Sequence, residues 1–379
     1  MAKKIQRIEN IQLGTASSLT RYGDKEDSLL ITLPETAKVS CQFTNNKLKA
    51  APVKLAIEHL SHSSNGEKAF LINAGNANAA TGSQGMRDVK FYCKEMASNL
   101  NLKKENIIPF STGVIGEAFP VNNYLNAFRE AKSKLSGKNW LKAANAILTT
   151  DTKPKIISKQ VKIEKEIYSI TGFAKGSGMI RPDFATLLSF VFVDAKVNQR
   201  SLNKIHADAL DVSFNAITVD GDTSPNDSSV LVVNGNENKS IKPNSKTEKK
   251  LAQYIKEIFK ELAELLIEDA EGATKKIRIS VSKAKNLTQA KSVAFTIAES
   301  PLVKTAMFGS DANWGRILSA VGRDRTIETI DDVQISVNGV PLVKKGSIDS
   351  KYSEAKAFAS EYLESMLPFL TKGTPFTEI

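Results

Sequence analysis

Gly172-Phe173-Ala174-Lys175-Gly176-Ser177-Gly178-Met179-Ile180-Arg181-Pro182-Asp183-Phe184-Ala185-Thr186-Leu187-Leu188-Ser189-Phe190 divides into two unlike halves. The first is a loop rich in glycine, carrying Lys175, in which Gly172, Gly176 and Gly178 can take φ > 0 or let backbone approach a ligand. The second half, Leu187 to Val193, is apolar and partly β-branched, as a buried strand is. Thr186 stands at the join. A threonine opening a strand after such a loop admits two readings. It is an ordinary strand residue, or it is a nucleophile. The second gains force if the chain is cut just before it, because the new α-amine, with a pKa near ~8, can serve as base for the adjacent hydroxyl. Residue types alone leave both open.

Working outward, the chain has 379 residues and 41% hydrophobic content, enough for two or more sizeable cores. No apolar run approaches the ~18 residues of a membrane span. The opening Met1-Ala2-Lys3-Lys4-Ile5-Gln6-Arg7 lacks the apolar segment of a secretory signal. Cys41 and Cys93 are too few for a disulfide framework and are read as buried small hydrophobes in a reducing compartment. The expected location is the cytoplasm, with no membrane contact. The net charge of +11 raises nucleic acid as a partner. The lysines are scattered among acids, however, and no zinc-finger or aromatic-basic pattern appears, so a lysine-rich solvated surface is expected instead. His59 and His62 lack a nearby acid or cysteine cluster, so no metal site is expected, and His206 stands alone.

Several further segments carry signals. Val39 to Val53 reads as a strand followed by Ala50-Ala51-Pro52-Val53. Ala69 to Asn73 is a short buried strand running into the small-residue stretch Ala74 to Gly82, and residues 86–100 have helical spacing. Ile107-Ile108-Pro109-Phe110-Ser111-Thr112-Gly113 reads as a strand ending in a Thr-Gly turn. Leu148-Thr149-Thr150-Asp151-Thr152-Lys153-Pro154-Lys155 is a helix end and a turn. Phe214 to Asp227 contains Asp220-Gly221-Asp222-Thr223, which lacks the spacing and terminal glutamate of a calcium loop and is expected to be a structured turn. The clearest helix opens with a capping box at Ser245 to Glu248. It carries Leu251, Tyr254, Ile255, Ile258, Phe259, Leu262, Leu265 and Leu266 on one stripe. Glu271 follows it. Asn338-Gly339 suits a type I′ hairpin turn, and a last helix is expected from about Ser353 to Met366.

Taken together these segments closely resemble the ornithine acetyltransferase (glutamate N-acetyltransferase) family. The central stretch matches its KGSGMI-x-P-x-x-AT signature, and Ser300-Pro301-Leu302-Val303-Lys304-Thr305-Ala306 through Asn313-Trp314-Gly315-Arg316-Ile317 matches another of its elements almost position for position. The resemblance covers roughly residues 39–340. The first ~25 residues diverge, and the stretch Pro368 to Ile379 has no match to the family tail that supplies an asparagine and a hydroxyl residue to the substrate site.

The resemblance implies an α/β fold of layered mixed sheets, that of the self-cleaving enzymes with an N-terminal threonine. It implies self-cleavage between Ala185 and Thr186, giving an alpha chain, 1–185, and a beta chain, 186–379, which together make one site and assemble as a heterotetramer of two of each. Thr186 becomes the nucleophile, Thr112 and Gly113 form the oxyanion hole, and Thr149, Lys175 and Glu271 bind substrate with Thr186. The implied reaction is ping-pong transfer of an acetyl group from N-acetylornithine to glutamate, releasing ornithine, in arginine biosynthesis. No cofactor is needed, and acetyl-CoA is a second acetyl donor in bifunctional members. Two alternatives remain open here: a divergent paralogue acting on another acyl or amide substrate, and a non-catalytic assembly partner.

Overall fold

The computed structural model describes residues 5–63, 66–181 and 187–349 in full, and the backbone of 363–368 and 377–378. The chain divides into two compact units. The first comprises residues 1–215 and 222–271, and the second comprises 216–221 and 272–379. Fold class is as expected: α/β, with parallel and antiparallel pairs in the same sheets.

The first unit holds two sheets. One runs β1 (Gln12–Ala16), β2 (Ser28–Leu33), β4 (Lys68–Asn76) and β5 (Ile107–Val114). The other runs β3 (Lys38–Phe43), β9 (Ser228–Val233), β8 (Leu188–Val193), β7 (Glu166–Lys175) and β6 (Lys155–Ile163). Side chains alternate across a strand, so each sheet can bury both faces only if something packs on each side. In β4, Phe70 and Ile72 point into one core with Phe110, Phe173, Phe190, Phe192 and Val230, which lies between the sheets. Ala69 and Leu71 point the other way, onto a core lined by Val89, Tyr92, Met96, Tyr124 and Phe128.

Those last residues belong to α2 (Gly82–Leu100) and α3 (Val121–Ser133), which cover the outer face of the first sheet with α1 (Ala51–His62). On the outer face of the second sheet lie α5 (Gln199–Asp211) and α6 (Lys246–Glu268), while α4 (Trp140–Ala146) contributes Trp140 to the core between the sheets. The unit is therefore four layers deep, helix–sheet–sheet–helix. Gly172 is needed in β7 because a Cβ there would sit 2.8 Å from Val191 and 3.2 Å from Leu262 of α6.

Helix α6 follows its sequence pattern closely. Ser245 accepts the N–H of Glu248 at 3.1 Å as the N-cap, and Leu251, Ile255, Ile258, Phe259, Leu262 and Leu266 are buried. The reciprocal bond of the capping box is displaced by one residue, since Glu248 accepts the N–H of Asn244 at 2.7 Å. Tyr254 and Leu265 lie at the rim of the stripe, half-buried. Cys93 is buried as expected, whereas Cys41 on the outermost strand β3 is only partly covered.

The second unit is built on one sheet, ordered β13 (Ser347–Ile348), β12 (Val340–Lys344), β11 (Ile335–Val337), β14 (Leu363–Pro368), β10 (Ile277–Ser282) and β15 (Thr377–Glu378). Packed with it are α7 (Leu287–Ala298), α8 (Pro301–Phe308) and α9 (Trp314–Gly322), closing a core that includes Val281, Val293, Ile297, Met307, Ile317 and Val337. The Asn338-Gly339 turn has both residues at positive φ, 49° and 77°, as a type I′ hairpin requires. The expectation of a helix through Met366 is corrected at its end. Residues 363–368 form a strand, because the slot between β10 and β11 offers backbone partners on both edges. Residues 353–362 of that expected helix lie outside the described residues.

Candidate active site

The described site residues, Thr112, Gly113, Thr149, Lys175 and Glu271, all belong to the first unit. Lys175 ends β7 and pairs with Leu188, which opens β8; Leu188 in turn pairs with Ser228, which opens β9. Ser228 donates its N–H to the carbonyl of Leu187 at 2.8 Å. The scissile pair Ala185–Thr186 belongs to 182–186, outside the described residues. Its two flanking strands are nevertheless adjacent and antiparallel.

In the other sheet, Thr112 and Gly113 lie within β5 rather than in a turn after it, because β4 bulges opposite them and keeps the ladder going to Val114. Thr112 is buried. The bulge is held by Asn73, which donates to the carbonyl of Asn76 at 2.8 Å, and by Tyr124, which donates to the carbonyl of Ala74 at 2.8 Å. Gly113 has φ 135°, and a Cβ there would lie 2.2 Å from the carbonyl carbon of Gly75. Glycine is therefore required for the two strands to approach at this point.

Around Lys175 a charged network is buried. Its ammonium makes a long contact, 3.4 Å, with the hydroxyl of Thr149. Burial pulls the Lys175 ammonium below its ordinary range, and Asp151 and Asp227 oppose that. Asp151 accepts the N–H of Gly176 at 2.7 Å and that of Thr149 at 3.2 Å, and pairs with Lys155. Lys155, wholly buried, pairs also with Asp269 and donates to the carbonyl of Gly176 at 3.3 Å. Asp269 accepts from both the N–H and the hydroxyl of Thr152. Burial alone would raise Asp151 and Asp269. For Asp151 it is outweighed by Lys175, Lys155 and the Gly176 N–H. For Asp269 it is outweighed by Lys155 and Thr152, so both carboxylates stay below their usual range.

Glu271 joins the same cluster through the loop after Lys175. Its N–H donates to the carbonyl of Ser177 at 2.7 Å. A Cβ on Gly178 would stand 2.7 Å from its carboxylate, so the absence of a side chain there lets Glu271 lie against the loop. The hydroxyls of Ser177 and Thr150 are 2.6 Å apart. The three expected substrate residues, Thr149, Lys175 and Glu271, are thus gathered on one loop and its supports.

Thr112 and Gly113 are linked to that cluster by Asn226 and Asp227, the last two residues of the stretch Phe214 to Asp227 that the sequence reads as a structured turn near the active site, with no role given to either. Asn226 donates to the carbonyls of Ala77 at 2.6 Å and Ser111 at 2.9 Å, tying the approach to β9 onto the ends of β4 and β5. Asp227, next to it, is buried, and burial pushes its carboxyl well up against the pull of Lys175 and Ser224. Asp151, Lys155 and Asp269 were also passed over. Asp151 and Lys155 stand four apart in a segment already quoted, and an acid and a lysine at that spacing beside a proline turn is the only signal they give.

The histidines take no part. His59 meets the carbonyl of Ile107 at 2.7 Å, and His206 is buried between Ser40 and Ser229, with burial lowering its pKa to about 3. The Asp220 to Thr223 run is divided between the units, and Lys304 of α8 holds the carbonyl of Val219 at 2.6 Å.

Comparison with known proteins decides the family. The sequence model of the ArgJ family matches residues 12–366. This chain belongs to the ArgJ family. The match extends beyond the 39–340 over which the resemblance was expected, at both ends. An arginine biosynthesis bifunctional protein ArgJ of Methylococcus capsulatus is 42% identical over 351 residues, covering 92% of this chain and 85% of the relative. That of Neisseria meningitidis serogroup A is 39% identical, covering 94% and 88%. Among solved structures, the ArgJ protein of Bacillus halodurans is similar over 46% of this chain and 91% of its own, with 29% identity and a TM-score of 0.41. The Mycobacterium tuberculosis ornithine acetyltransferase complexed with ornithine covers 48% of this chain and 93% of its own, with 26% identity and a TM-score of 0.39. Among the described residues no helix is long and apolar enough to cross a membrane.

Proposed function

We propose that this ArgJ-family acyltransferase moves an acetyl group from N-acetylornithine to glutamate through Thr186, freed by cleavage after Ala185. The observation that carries the reading is the gathering of Thr149, Lys175 and Glu271 on one loop, joined through Asn226 and Asp227 to Thr112 and Gly113. In the first half-reaction the Thr186 hydroxyl oxygen bonds to the acetyl carbon, and its proton passes to the α-amine. The carbonyl oxygen takes up negative charge beside the Thr112 hydroxyl and the Gly113 N–H. Two fixed donors there are worth several kcal/mol of barrier, about 3–4 for each one removed. As the tetrahedral species collapses, the C–N bond breaks and ornithine leaves with the proton held by the amine. Glutamate then attacks the acyl-threonine by the same route in reverse, and in a bifunctional enzyme acetyl-CoA replaces N-acetylornithine as the donor that loads Thr186.

Lys175 positions the substrate, and Glu271, exposed at the loop's edge, faces its amine. The two chains stay together as one site, in a heterotetramer of two alpha and two beta chains. The cytoplasm suits an enzyme whose two cysteines are free.

The test is intact mass before and after brief incubation with N-acetylornithine. Two fragments meeting at Ala185–Thr186, the second gaining one acetyl group, is the expected result. Two fragments without the gain would reject this acyl donor, and a single uncut chain would reject the nucleophile.

A further inference from the structure

Asn226 and Asp227 carry an unanswered chemical demand. Both are 4% exposed, and among the described residues neither Asn226 Oδ1 nor Asp227 Oδ2 has a hydrogen-bond partner. The asparagine cannot relieve this by turning over its amide, because its nitrogen already donates to the carbonyls of Ala77 and Ser111. The aspartate's other interactions, with Ser224 and through the charge of Lys175, leave Oδ2 unmet. A buried acceptor left without a donor costs about 1–3 kcal/mol, so two in succession call for an explanation.

Charge indicates what they await. With Asp227 ionised, the buried cluster sets Lys155 and Lys175 against Asp151, Asp227 and Asp269, one negative group too many, and burial drives the Asp227 carboxyl toward its neutral form unless a further cation meets it. A partner that supplies both a positive charge and at least two N–H donors answers the excess and both orphans together. A hydroxyl brings one donor and no charge, and a carboxylate brings neither. A primary ammonium brings both. We propose that Asn226 and Asp227 form the seat of a primary amine at this site.

This inference rests on the function proposed above, which puts two amines within reach. One is the chain's own α-amine at residue 186, whose covalent neighbour Leu187 is already bonded through its carbonyl to Ser228, the residue after Asp227. The other is the substrate's ammonium. In the first case Asp227 is a positioning residue that holds the base and sets its proton affinity. In the second it is a substrate contact beside Glu271.

The experiment separates the sources and needs no turnover. Asp227→Asn removes the charge while keeping the shape. On wild type and variant, the pKa of the α-amine at residue 186 is read from the pH dependence of its dansylation, quantified by mass on the peptide that begins there. Ornithine affinity is measured on the same samples by calorimetry. An α-amine pKa lower by about one unit in the variant, with unchanged ornithine Kd, assigns the seat to the chain's own amine. A tenfold or greater weakening of ornithine, with an unchanged α-amine pKa, assigns it to the substrate. If neither moves, the proposal is overturned. A variant that is no longer cut would give Asp227 to the cleavage step and overturn it equally. Should the asparagine variant fail to fold, Asp227→Ser, which keeps an acceptor without the charge, gives the same readings. A wild type that remains uncut rejects the nucleophile of the functional reading instead, and ornithine affinity alone then decides the seat.

Discussion

Gly113 carries two constraints, and they can be separated by experiment. Its φ of 135° lies where side chains are rarely tolerated, and its missing Cβ makes room for the carbonyl carbon of Gly75. Gly116, three residues on, also has positive φ, 84°, but nothing lies within 4 Å of where its Cβ would be. Gly116→Ala therefore tests the backbone cost alone, and about 1–2 kcal/mol of stability is expected to be lost with turnover retained. Gly113→Ala must move β5 away from β4, and with it the N–H proposed to meet the oxyanion. Its kcat is expected to fall by about 10²–10³ while the acetyl donor's KM changes little. Steady-state kinetics beside thermal melts of both variants make the check. A Gly113→Ala enzyme with wild-type kcat would remove this N–H from the mechanism.

At the scale of elements, the segment joining α4 to β6, the end of β7 and the end of α6 meet on the side chain of Lys155. Its ammonium is bound by Asp151, by Asp269 and by the carbonyl of Gly176, so one cation fixes the loop that carries Lys175 against the helix that precedes Glu271. Lys155→Met fills similar space but leaves two buried carboxylates facing each other unpaired. Loss of about 3–5 kcal/mol is expected in denaturant unfolding. The triple change Lys155→Met, Asp151→Asn and Asp269→Asn should recover most of it, and failure to recover would mean that the lysine stem, not the charge balance, matters.

Nothing in the sequence announced this element-level contact. Asp269 is 114 residues from Lys155, and single-sequence periodicity has no access to such pairs. What periodicity did expose was α6, where the stripe and cap are local properties, and the apolar β8. It misplaced the end of the chain, where Leu363 to Pro368 could satisfy helical spacing yet was taken up as a strand between β10 and β11. At the candidate site, motif resemblance named Thr112, Gly113, Thr149, Lys175 and Glu271. It took Asn226 and Asp227 only as the end of a turn, because their unpaired buried oxygens show only in three dimensions.

For the whole molecule, the proposed cut does not coincide with a boundary between compact units. The units change at residues 215–222 and 271–272, whereas residue 186 lies inside the first unit. On either side of the cut, β7 and β8 remain paired through six register positions, from Ile170 with Val193 to Lys175 with Leu188. Residues before the proposed cut also supply β3, paired along its length with β9 from the residues after it. The core between the sheets draws Phe70, Phe110 and Phe173 from before the proposed cut and Phe190, Phe192 and Val230 from after it. Separating the chains would therefore open the whole core between the sheets and leave each sheet with one face bare, so chain separation and unfolding of the first unit should be one transition. The cut protein is expected to elute as one species in native size exclusion and to show two bands only in denaturant. Chain separation and loss of tertiary signal should share one denaturant midpoint. Chains that part at a lower concentration, with the rest of the fold intact, would show that the sheets hold together less across the cut than their register implies.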